Sequence, residues 1–150
     1  MLALIPSITS NPNHYFAGYP NMFLDKLTEA QQGVVLSLTT TLMNADGKVT
    51  PQETALLDTL RQQMRSSVTP AKVELSELPT VFPTRAARIA MLLELLGMAL
   101  IDNEYHVNEQ DFISAIGNAL QISQTELVEM ESWVRRQFAL VREAEHFMED

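Results

Sequence analysis

Two stretches decide how this chain is read: Ala45-Asp46-Gly47-Lys48-Val49-Thr50-Pro51-Gln52-Glu53 and Ile101-Asp102-Asn103-Glu104-Tyr105-His106-Val107-Asn108-Glu109. Each sets one acid seven residues before another. A shift of 56 positions lays the second over the first, and also superimposes Leu56 on Phe112, Leu57 on Ile113, Leu60 on Ile116 and Met64 on Leu120. The apolar spacing therefore repeats along with the carboxylates. A duplicated helix–turn–helix unit is the simplest account, and because one such unit cannot bury its apolar face alone, two copies packed together are expected.

Outward from the first stretch, Thr50-Pro51-Gln52-Glu53 is the clearest helix start in the chain: Thr as N-cap, Pro at the first position where a missing N–H costs nothing, and Glu at N3. Leu56, Leu57, Leu60 and Met64 form the buried stripe of that helix. Upstream, Thr28 and Gln31 have capping-box spacing, and Val34, Val35, Leu38 and Leu42 supply helical periodicity, which predicts a helix over about 29–44. Downstream, Pro70, Pro79 and Pro83 interrupt any long helix between 66 and 83, leaving a linker with a short helical turn near Leu75. Thr84 caps a segment, Ile89 to Ile101, that is apolar on nearly every side and so belongs in the middle of a domain. A helix from Val107 to Leu120 follows. Ser123 with Glu126 opens a last one through Leu127, Met130, Trp133, Val134 and Phe138. Leu56, Leu60, Leu92, Leu95, Ile116 and Trp133 lie on these stripes and are expected to be buried together.

No segment alternates apolar and polar residues as a strand does. The expected class is all-α, a single-domain helical bundle built from two pseudo-symmetric helix–turn–helix repeats. Residues 21–150 form that domain, with a short turn over 22–27. Residues 1–20, rich in Pro and Asn, read as an irregular arm that Phe16 and Tyr19 pin to the body.

At 150 residues the chain has the length of one domain with one real core. No apolar run approaches the roughly 18 residues a membrane span needs, and the first residues lack the basic start of a secretory signal. Cysteine is absent, which excludes disulfides, thiolate metal sites and thiol catalysis, and points to the cytoplasm. A formal charge of −9 repels nucleic acid. Most of these acids are expected to form a solvated surface.

The acids that the repeat holds in place are another matter. Neither copy is an EF-hand loop: Leu42 stands at the first ligand place of copy one, and Met98 and Leu100 at early places of copy two. Packed about a twofold axis, however, the copies could gather Asp46, Glu53, Asp102 and Glu109. Like charges at that density raise one another's pKa, so the cluster must take up protons, basic side chains or a metal ion. Oxygen ligands suit calcium or magnesium rather than zinc. Glu94, inside the apolar helix two turns before Asp102, is a further candidate ligand, unless Arg85 or Arg88 swings back to neutralise it or it reaches the surface. A plainer reading is open for the same acids, with Glu53 as the N3 partner of Thr50 and Asp46 closing its own turn. His14, His106 and His146 share no ligand spacing and read as surface or capping residues. No nucleophile elbow or Gly-rich phosphate loop is present, so no catalytic constellation stands out.

The run from Asn44 to Glu53, with the run from Leu92 to Glu109, resembles the TerB-like family associated with tellurite resistance and found beside DnaJ-type co-chaperone modules. The resemblance covers about 28–133. Its pattern is an Ala-Asp-Gly turn, a hydrophobic residue three places after the Asp and a Glu seven after it; copy one fits fully, and copy two keeps Asp102, Tyr105 and Glu109 but has Asn103 for glycine. Asparagine tolerates the left-handed turn conformation. The resemblance implies a non-enzymatic helical bundle with divalent-cation binding and a protein partner. It places the protein in the cytoplasm, near inner-membrane or stress-response complexes, as a sensor or scaffold. A metal-dependent hydrolytic enzyme using the same carboxylates, and a protein-interaction module without metal, are the alternatives.

Overall fold

The computed structural model describes residues 23–45, 47–101 and 104–150, and the regular elements among them are all helical. They are α1 (Glu29–Met43), α2 (Pro51–Gln63), α3 (Leu78–Val81), α4 (Arg85–Leu100), α5 (Val107–Ala119) and α6 (Gln124–Phe147), with 3-10 turns at Leu24–Lys26 and Leu75–Glu77. The expected arm, with Phe16, Tyr19 and His14, lies outside the described residues. No helix is long and apolar enough to cross a membrane among those described.

Local chemistry sets most of the helix starts. Thr28 Oγ1 accepts from the Gln31 amide at 3.2 Å while Gln31 Oε1 accepts from the Thr28 amide at 2.9 Å, and the Ser123–Glu126 pair does the same for α6 at 3.1 Å each way. Thr84 Oγ1 accepts from the Ala87 amide at 3.2 Å. Each bond satisfies an amide that has no partner within its helix.

Helix α4 is the axis of the fold. It touches α1, α2, α5, α6 and the first 3-10 turn, and every residue from Ala90 to Leu100 is buried, as an all-round apolar helix requires. Leu56, Leu60, Leu92, Leu95 and Ile116 share one core. Trp133 departs from expectation: it is half-buried at the rim and packs at a tilt against Phe23, ring centroids 5.8 Å apart. The inward position is taken by its neighbour Val134, and one residue along a helix turns a side chain by about 100°.

The linker between α2 and α4 is tied down rather than loose. Ala71 N–H donates to Gly33 O at 3.0 Å, and a Cβ on Gly33 would lie 2.3 Å from Thr69 O, so α1 meets the linker at a position only glycine fits. Arg88 gathers three carbonyls, Phe82 O at 2.7 Å, Leu120 O at 3.0 Å and Pro79 O at 3.4 Å. Gln31 Nε2 donates to Val81 O at 3.0 Å.

Helices α2 and α5 run over Pro51–Gln63 and Val107–Ala119, so the 56-position shift maps one helix onto the other end to end. Their buried sides differ slightly. In α2 it is Leu56 that is buried and Leu57 half-buried, whereas in α5 Phe112 is half-buried and its neighbour Ile113 buried. Helix α5 is wedged among α1, α3, α4 and α6, while α2 packs on α1 and α4.

Candidate acidic-turn site

The first motif leaves α1 through Asn44, whose side-chain amide donates to Thr40 O at 2.8 Å. Gly47 N–H then bonds back to Asn44 O at 3.2 Å, and Gly47 takes φ +76°, a backbone state that a side chain would strain. The turn delivers the chain to Thr50, the N-cap of α2. Glu53 N–H donates to Thr50 Oγ1 at 3.1 Å and Thr50 N–H to Glu53 Oε1 at 3.4 Å.

The second motif repeats the device. His106 is the N-cap of α5, and its amide donates to Glu109 Oε1 at 3.2 Å. Glu53 and Glu109 are thus buried carboxylates at the same place in two matching helices. Asp46, Asp102 and Asn103 lie outside the described residues.

A contact that sequence reasoning missed joins the two motifs. Asn108 Nδ2 donates to Ala45 O at 3.1 Å, across 63 residues of chain. Its only sequence signal is that it matches Gln52 of copy one, a second polar residue ahead of the Glu. Beside it an open groove of about 680 Å³ runs between the end of α1 and the start of α5, with Thr41, Asn44, Asp111 and Phe112 in its walls.

Charge is concentrated around α5. The Tyr105 phenol is held above its ordinary pKa, first by burial and then by the negative charges of Glu131 and Glu109, with Arg135 pulling the other way. Arg135 sits on Glu131 at 3.0 Å. His106 Nε2 lies 3.3 Å from Glu104 Oε2, and the exposed His146 bonds Glu149. The two histidines are capping and surface residues.

Glu94 stands apart. Its carboxyl is buried in α4, neither oxygen has a hydrogen-bond partner among the described residues, and burial pushes its pKa up to about 9. The Phe23 backbone lies near enough to draw that value slightly down without completing a hydrogen bond. The two arginines expected to neutralise it are committed elsewhere. Arg85 pairs with Glu126, and Arg88 with its three carbonyls. Nor does Glu94 reach the surface; at neutral pH it is a neutral acid in an apolar surround.

Among the described residues no three Asp, Glu or His side chains gather closely enough to hold a metal ion. Glu53, Glu94 and Glu109 therefore form no such group by themselves. A scan of protein-family models and searches of curated proteins and solved structures return no match to this chain.

Proposed function

We propose that the chain is a non-enzymatic, TerB-like helical domain whose two acidic turns jointly receive a divalent cation or the basic side chains of a protein partner. It acts as a sensor or scaffold component in a cytoplasmic stress response of the tellurite-resistance type. In this reading the two helix–turn–helix units pack about a pseudo-twofold axis, and Asp46 and Asp102 join Glu53 and Glu109. The observation that carries it is the hydrogen bond from Asn108 to Ala45, which ties one turn to the helix start beside the other. Buried Glu53 and Glu109 at equivalent cap positions support it. Carboxylates brought together stay ionised only against positive charge, and all-oxygen donors favour calcium or magnesium.

The groove next to the turns, with the carboxylate of Asp111 in its wall, offers room for a partner's basic side chain. One observation favours a second reading, in which the acids serve as caps alone: each Glu already returns Oε1 to its own N-cap amide. Calorimetric titration with calcium, magnesium and manganese separates the two. Saturable heat in the wild type that vanishes in Asp46→Asn/Asp102→Asn supports the cation site, and its absence for all three ions leaves the caps or a basic partner.

A further inference from the structure

The last turns of α6 carry a pattern that the bundle does not use. Past Phe138 no side chain of this helix is buried, yet Leu140 is 55 % exposed and Phe147 86 %. With the half-buried Trp133 they recur every seven residues, the spacing that keeps one face of a helix on a partner helix. Phe147 lies opposite the inward Val134 and Phe138 around the wheel, which fits its exposure.

Beside this stripe, three residues after Trp133 and Leu140, stand Arg136 and Glu143. Being seven apart, they are about 10 Å distant along the helix and cannot pair with each other. Their own neighbours three and four places away offer no opposite charge, except His146 to Glu143, and that ring is engaged with Glu149. Among the described residues Arg136 donates to the Ser132 carbonyl, at 3.4 Å.

We propose that this face is an antiparallel docking surface for α6 of a second copy of the chain. The charge order decides the occupant and its direction. In parallel copies each flank of the stripe faces the partner's other flank, so Arg136 and Glu143 do not meet. Antiparallel copies in the register that puts Leu140 on Leu140 across the twofold axis bring each Phe147 to the partner's Trp133. The same register brings each Arg136 beside the partner's Glu143, twice. The interface is isologous, as a closed dimer needs. It covers about four turns of helix, well below the roughly 800 Å² per partner of a standard interface, so the dimer is weak and concentration-dependent.

Sedimentation equilibrium of the full chain from about 5 µM to 1 mM tests this. A reversible monomer–dimer equilibrium is expected, shifted at least tenfold toward monomer by Phe147→Ser or by Leu140→Glu, with circular dichroism showing the helix content unchanged. Arg136→Glu and Glu143→Arg should each weaken the dimer, and Arg136→Glu with Glu143→Arg should restore it. A chain that stays monomeric throughout, or a dimer indifferent to Phe147→Ser and Leu140→Glu, overturns the proposal. A dimer not restored by the double exchange overturns the antiparallel register.

Discussion

Asn108 and Ala45 are joined by a 3.1 Å hydrogen bond from side-chain amide to backbone carbonyl, and through it the start of α5 holds the beginning of the turn that follows α1. The bond is exposed, so its removal in Asn108→Ala is expected to cost only about 0.5–1.5 kcal/mol in a urea melt. Its larger effect should fall on any ligand that needs both turns in place. Cation affinity, read by calorimetry, should drop in Asn108→Ala by more than the stability loss explains. An affinity equal to that of the wild type means the turns do not act together.

Glu94 makes stability depend on pH in a particular direction. Its folded pKa of about 9 lies above the ordinary 4.5, so the folded state holds a proton that the unfolded state releases. Its contribution is complete below about pH 4.5 and is lost as pH rises through about 9, at up to about 1.4 kcal/mol per pH unit. Glu94→Gln cannot ionise. The variant should gain on the wild type steadily between pH 5 and pH 9 in urea melts. A difference between the two that does not change with pH contradicts the neutral-acid assignment.

Gly33 meets the carbonyl of Thr69 where a Cβ would stand 2.3 Å from its oxygen. In an exposed helix Gly→Ala stabilises by up to about 1 kcal/mol. At this position the sign should reverse, because the clashing atom is backbone and the linker must move away, breaking the 3.0 Å bond from Ala71 N–H to Gly33 O. A lower melting temperature for Gly33→Ala is the expected outcome. An unchanged or raised one would show that the linker does not bear on α1.

Leu60 and Leu95 are both buried in the common core. Truncation of either to Ala should cost on the order of 2–5 kcal/mol, by lost transfer energy and the cavity left behind. Leu140→Ala on the exposed face of α6 is the control and should leave the monomer's stability nearly unchanged. Equal losses at all three positions would contradict the burial pattern.

What could be read from the sequence follows from the range of the interactions. Thr28, Thr50, Thr84 and Ser123 cap helices through partners three residues away, so their spacing announces the helix starts, and the proline-broken linker is equally local. The all-round apolar segment marked α4 as the central helix. Trp133 was misplaced because its stripe position alone does not say which of two adjacent residues takes the inward site. Arg85 and Arg88 looked like partners for Glu94 because they share its helix. Their actual partners, Glu126 and the carbonyls of Pro79, Phe82 and Leu120, are set by tertiary packing up to 41 residues away. For the site, Glu53 was legible as the N3 partner of Thr50, while the matching cap by Glu109 came only with the structure and the bond between Asn108 and Ala45 has no local signature.

The central claim, that the two turns form one cation site, is tested most directly by thermal melts of the wild type and of Asp46→Asn/Asp102→Asn with and without millimolar calcium, magnesium or manganese. A ligand at a hundredfold excess over its dissociation constant adds roughly 2.7 kcal/mol, which is several degrees for a chain of this length. The account predicts that increment for the wild type with at least one ion. It predicts none for the double variant, whose ion-free melting temperature should equal or slightly exceed that of the wild type because repulsion between the turns is relieved. A wild-type melt indifferent to all three ions, together with an ion-free double variant that melts lower, would contradict the cation site and leave the acids as helix caps.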